Sequence, residues 1–241
     1  MMTEPREQDI IESFIRFADR LIDDVDVLDL TTELAADCAR LLDVGAVGLL
    51  LADPGGVLHL LAATSEEARK LEAFQLQRDE GPCLDCYHTG EPVSVADLRT
   101  QSQRWPRFTA VAAAQGFASV HAIPMRLRQE RLGALGLFGT TPGTLNDGDV
   151  RLAQGLAHVA SIAIVQAANV PQDGDVLTAL QTAVASRSVV DMAKGVIAET
   201  QSVDTQEAFN RLRNYAHQNH QHLADVARDV VSGQTLSAAI R

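Results

Sequence analysis

Two runs late in the sequence hold cations and amides at helical spacing. In residues 186–197, SRSVVDMAKGVI, Arg187 and Lys194 stand seven positions apart, two helical turns, so both leave nearly the same face. Asp191 lies four residues after one and three before the other, where it can pair with either. Gly195 in a helix interior costs about 1 kcal/mol relative to Ala. Beside Lys194 it removes a side chain and would let a partner's backbone come close. In residues 204–217, Arg213 has Asn210, Asn214 and His217 as polar neighbours. Arginine and lysine bind phosphates, while Asn, Gln and Arg read the edges of splayed bases in RNA loops. Arg187, Lys194, Gly195, Arg213, Asn214 and His217 are therefore the candidates for RNA contact. Spacing by itself favours a plainer account, a solvated Arg187–Asp191–Lys194 ladder with Gly195 as a helix-packing contact.

Cys83-Leu-Asp-Cys86 is the second place where chemistry could reside. Thiols three apart near a helix start can form a redox pair, because the helix N-terminus lowers thiol pKa. A structural zinc site needs four ligands, and only Cys38, His88 and His121 are candidates elsewhere. Buried packing on a short helix opened by Gly81-Pro82 is the simplest reading, with Cys83 and Cys86 kept as redox candidates. His217, His220 and His222 do not share one helical face, so no metal site is expected there. The chain has no G-x-S-x-G, P-loop, H-E-x-x-H or spaced-Asp phosphatase pattern. No enzyme, catalytic residue, metal or cofactor is expected. Gly133, Gly136 and Gly139 alternate with apolar residues in a strand pattern and do not read as a phosphate cradle. His121, on a strand among apolar neighbours, reads as a core or pocket-lining residue.

The elements that must position these groups follow from periodicity. Residues 5–23 place Ile10, Ile11, Phe14, Phe17, Ala18, Leu21 and Ile22 on an amphipathic helix, and 30–42 form another with Leu30, Leu34, Cys38, Leu41 and Leu42. Residues 46–52 and 57–63 read as a hairpin of apolar strands about Asp53-Pro54-Gly55-Gly56. A helix at 66–75, a short strand at 93–95, a helix near 107–115, strands at 118–127 and 133–139 and a long helix at 146–168 follow. Residues 169–175 form a linker interrupted by Pro171 and Gly174, placing a boundary near 170. Beyond it, Val189, Val190, Ala193, Val196 and Ile197 mark the apolar face of one helix. Asp204, three residues before Glu207, opens the next as a capping box, with Ala208, Phe209, Leu212, Tyr215 and Ala216 as its buried stripe. Strands between helices describe an α+β sheet layered by helices.

Two family resemblances sharpen this. Ser186, Arg187, Ala193, Lys194, Gly195, Val196 and Ile197, then Glu207, Ala208, Phe209, Leu212, Arg213 and Ala216, then Leu223, Val226 and Ala227 together resemble the ANTAR domain of bacterial antitermination regulators. The order of elements over roughly 25–168, with EGPCLDCYHTGEPV and PMRLRQERLGALGLF, resembles a GAF sensory domain. The resemblance implies an α+β fold: an antiparallel GAF-like sheet flanked by helices over 1–170, then an all-α three-helix module over 171–241. It implies a signal-responsive antiterminator binding hairpin loops in nascent mRNA, with a small-molecule pocket near Tyr87, Trp105 and His121 whose ligand is unknown. One departure stands out: many ANTAR sequences carry Lys or Arg at the positions of His222 and Ala224. Near pH 7.5 an unperturbed His is largely neutral, so RNA affinity is expected to be weak or to rise as pH falls.

Composition sets the outer limits. The chain has 241 residues, 46% hydrophobic and 4% aromatic, with a net charge of −12. Residues 172–241 hold eight acidic and six basic side chains, so neither part has the basic excess of a general polyanion binder. Of only two lysines, Lys70 and Lys194, one falls in the motif. No run is long and apolar enough for the roughly 20 residues of a membrane span. The polar, acidic start and three cysteines lead to the expectation of a cytoplasmic protein without a disulfide framework. A homodimer is expected through the helices at 5–23 and 175–200, since paired modules gain avidity on one RNA. The rival accounts are a protein-interaction adaptor with a degenerate module, and a ligand or redox sensor whose helical tail only dimerises.

Overall fold

A computed structural model describes residues 4–20, 27–167, 176–235 and 240. The expected Leu21, Ile22 and the 169–175 linker lie outside them. The first two helices are α1 (Glu4–Arg20) and α2 (Val27–Leu41). Five strands follow: β1 (Ala46–Ala52), β2 (Leu58–Ala63), β3 (Val93–Val95), β4 (Ser119–Leu127) and β5 (Glu130–Gly139). Helices α3 (Glu66–Arg78), α4 (Pro82–Thr89) and α5 (Pro106–Ala114) lie between strands, and α6 (Asp147–Ala167) closes the first domain. Helices α7 (Val176–Gln201), α8 (Thr205–Gln218) and α9 (Leu223–Ser232) form the second.

The sheet order is β2-β1-β5-β4-β3, with every adjacent pair antiparallel. β1 is buried along its whole length, which its uninterrupted apolar run AVGLLLA requires of a strand covered on both faces. Alternation sorts its side chains: Val47, Leu49 and Leu51 join one core, and Ala46, Leu50 and Ala52 the other. The first core lies under α2 and α6 and continues into α7–α9 through Val190, Ala193, Ile197, Leu212 and Val226. The second is filled by α3, α4 and α5, with Leu71, Cys83, Trp105, Phe108 and Phe138. The pairing of β1 with β2 slips by one residue between Leu49 and Leu50, so Leu61 has no partner in the ladder.

α1 sits on the outside of this sandwich. Phe17 is buried, but Ile11 and Ile15 are 59% and 53% exposed. Ala18, expected on the apolar face, is exposed too. The helix is held by Phe17, Ile10 and Phe14 on the core and by polar contacts: Arg16 grips Asp37 of α2 at 2.8 Å, Ser13 donates to the same carboxylate, and Arg6 pairs with Asp149. Every described helix is too short or too polar to cross a membrane.

Candidate nucleic-acid interface

The helical module forms much as its sequence dictates. The Asp204 side chain accepts from the Glu207 backbone N–H at 2.8 Å, capping α8. The reciprocal half of the capping box differs, because the Glu207 carboxylate takes Arg211 Nε at 2.7 Å, one turn on. On α7, Val190, Ala193 and Ile197 are buried, whereas Val196, expected beside them, is 40% exposed. It shares the outer face with Met192 and Gly195. A Cβ built at Gly195 would meet nothing within 4 Å. Packing among the described residues therefore does not call for the glycine, and the helix-packing account of it finds no support there.

Arg187, Asp191 and Lys194 do form the expected ladder, at 3.0 Å and 3.1 Å. It is not solvated. The Arg187 and Lys194 side chains are only 15% and 14% exposed. Arg187 also donates from Nη1 to the Leu61 carbonyl at 2.9 Å, the residue that the β-bulge leaves unpaired in the ladder. Lys194 lies 5.6 Å from the centre of the Phe209 ring, a cation–π contact. Burial lowers its pKa below the ordinary lysine value, opposed by Asp191. These two cations line a cleft of about 430 Å³ together with Arg69, Ser65, Thr205 and Gln206.

The other candidates are set apart. Arg213 Nε lies 3.2 Å from Asp29 Oδ1 and its Nη2 lies 3.4 Å from Glu33 Oε1, both on α2. The Nε–Oδ1 contact is poorly aligned for a hydrogen bond, so its attraction is ionic. His217 Nε2 lies 3.1 Å from Asp29 Oδ2. Asn214 faces solvent. The six residues thus fall into three places: the cleft beside β2 and α3, the acidic face of α2, and the outside of the module. Sequence reasoning missed Arg69, Asp29 and Glu33. A signal for the acids existed, since Asp29, Glu33 and Asp37 recur every four residues along α2.

In the sensor, Tyr87, Trp105 and His121 do not line one pocket. Trp105 is core, its indole N–H donating to Asp85 at 3.2 Å, and Tyr87 packs at the edge of the same cluster. His121 lies elsewhere, on a polar cleft of about 400 Å³ with Ser119, Thr141 and Asn146. Its Nε2 accepts from the Leu145 N–H at 3.2 Å, so Nδ1 carries the proton and donates to Ser94 Oγ at 2.7 Å. Burial lowers the His121 pKa, consistent with that neutral ring.

Cys83 and Cys86 are fully buried. Burial pushes the Cys86 thiol up to about 12 and the Cys83 thiol well above its ordinary value. Both are thus poor sources of thiolate at neutral pH. Cys83 donates from Sγ to Glu72 at 3.5 Å, and Glu72 accepts from Gln75 Nε2 at 2.8 Å. With no cation against it among the described residues, burial raises the Glu72 pKa to about 8. Among the described residues, no group of three or more His, Cys, Asp or Glu could hold a metal ion.

A helix-covered antiparallel sheet followed by three cation-bearing helices defines an α+β domain joined to an all-α module. The sequence model of the GAF domain matches residues 24–165 and that of the ANTAR domain matches 178–231, so the chain belongs to the GAF domain family and carries an ANTAR domain after it, as a two-domain regulator. No curated protein sequence matches the chain. The fold resembles the GAF domain of Acinetobacter phosphoenolpyruvate-protein phosphotransferase (TM-score 0.52, 14% identity, 71% of this chain and 99% of that one). It also resembles the corresponding Coxiella burnetii domain (0.51, 14%, 65% and 93%). A third is free methionine-R-sulfoxide reductase from Neisseria meningitidis in complex with its substrate (0.53, 14%, 70% and 95%). Identities this low establish the fold alone, and one fold hosts many functions.

Proposed function

We propose that this regulator is a signal-responsive transcription antiterminator whose ANTAR domain binds hairpin loops in nascent mRNA under control of the GAF domain. The observation that carries the reading is Gly195: a helix-interior glycine next to Lys194, facing open space, inside the matched ANTAR segment. It fits close approach by a partner's backbone, with Met192 and Val196 flanking the approach and Lys194 one residue away. Arg187, Lys194 and Arg213 supply phosphate contacts, while Asn214 is free in direction to reach a base edge. The protein acts as a homodimer through α1 and α7, with exposed Ile11 and Ile15 of α1 giving apolar surface for pairing.

The test is binding of the full-length protein to stem-loop RNA with a randomised loop, at two salt concentrations. Lys194→Ala should weaken binding about tenfold and flatten the salt dependence by about one unit of slope. Unaltered affinity and slope would remove Lys194 from the interface. One observation favours the adaptor account: the module's cations already engage acids or carbonyls of this same chain. Selective capture of a protein by the α7–α8 surface, with no RNA affinity, would establish that account instead.

A further inference from the structure

Resting on the RNA-binding reading, we infer that Asp29 and Glu33 of α2 stand in for RNA phosphates on Arg213 and His217, so that sensor docking and RNA binding exclude one another.

Three observations converge on this. First, the sensor offers the module what an RNA backbone offers: anionic oxygens at 3.1–3.4 Å from a guanidinium and an imidazole. Second, α2 divides its row of acids between two tasks. Asp37 is engaged by Arg16 and Arg40 and so binds α1, leaving Asp29 and Glu33 turned to the module. Third, the contact extends beyond one pair. Arg187, on a different helix, is held by the Leu61 carbonyl at the β-bulge of the edge strand β2. Two helices of the module are thus gripped by two elements of the sensor through the very cations assigned to RNA.

The asymmetry of the exchange makes it a switch. The Asp29 side chain is only 10% exposed and, docked, its carboxylate faces Arg213 and His217 with little water against it. When RNA takes Arg213 and His217, phosphates replace the carboxylates on the guanidinium and the imidazole, and Asp29 and Glu33 return to water. Neither set of anions can hold the same guanidinium at full strength while the other is present. Anything that moves α2 relative to α8 changes the RNA affinity. Conversely, RNA loosens α2, because linkage between two binding events is reciprocal.

The experiment uses the full-length protein and a synthetic stem-loop RNA pool. Asp29→Asn/Glu33→Gln preserves shape and removes both carboxylate charges. Glu7→Gln/Glu12→Gln, on the exposed side of α1, makes the same change in net charge away from the contact. The first variant should bind RNA about tenfold tighter than wild type, equivalent to the gain of one modest ion pair. Its α8 amides should exchange with deuterium faster, and the α1 variant should match wild type in both respects. Equal RNA affinity of wild type and the α2 variant overturns the exclusion while leaving the RNA reading intact. An equal gain from the α1 variant also overturns it, since net charge then explains the effect. If none of the proteins binds RNA, the RNA reading falls, and faster α8 exchange would leave the ion pairs as a plain domain clamp.

Discussion

Glu72 and Asp29 are two buried carboxyl groups of one sensor domain, on opposite sides of one sheet, and they are handled in opposite ways. Among the described residues, no cation lies against Glu72. It lies among Gln75, the Cys83 thiol and two glycines, Gly48 and Gly136, which face each other across β1 and β5. A Cβ at either glycine would come within 2.6 Å of its Oε1. Asp29 instead meets Arg213 and His217 of the second domain. The first acid is kept neutral and completes a closed core. The second keeps partners on another domain. Burial by itself therefore does not mark a group as structural or regulatory; the charge set against it does.

The sharpest way to break the Glu72 side is Gly136→Val. The added side chain would occupy the space of Glu72 Oε1 and Cys83 Sγ, and a cost of about 3 kcal/mol, read as a drop in Tm, is expected. A smaller and opposite effect comes from Glu72→Gln. The folded carboxyl keeps its proton up to about pH 8, whereas in the unfolded chain it loses it near 4.5. Across that window the folded state binds more protons, so wild-type stability falls as pH rises and levels off above 8. Denaturation curves should show Glu72→Gln close to wild type near pH 4.5 and more stable by about 2 kcal/mol at pH 6, the difference growing further toward pH 8. A constant difference across that range would mean that Glu72 is ionised in the core. The smallest effect belongs to the other side of the sheet. Arg213→Ala should cost about 1 kcal/mol, and salt should reduce the difference, because its contacts are ionic and the Arg213 side chain is 31% exposed.

The same contrast explains what could be read before the structure. β1 and β2, the α8 cap and the stripe Ala208–Phe209–Leu212–Ala216 follow from local rules that operate within a few residues. Even Glu72 had a signal, since Ala68, Leu71, Glu72 and Gln75 fall on one helical stripe, where a carboxylate and an amide are out of place. The site was legible in residue types but not in direction. Arg187, Lys194 and Arg213 were found as cations, yet spacing within α7 and α8 says nothing of an acid about 180 positions earlier or of a carbonyl at a bulge in β2. Val196 and Ile11 were misplaced for a related reason. A helical stripe defines an apolar sector, and only the packing partner decides which edge of it is covered.

The most direct test of a surface shared between sensor and RNA is amide exchange of the full-length protein with and without saturating stem-loop RNA. RNA should protect α7 and α8 while accelerating exchange around Asp29 and Glu33 in α2. Protection or no change in α2 would contradict the account.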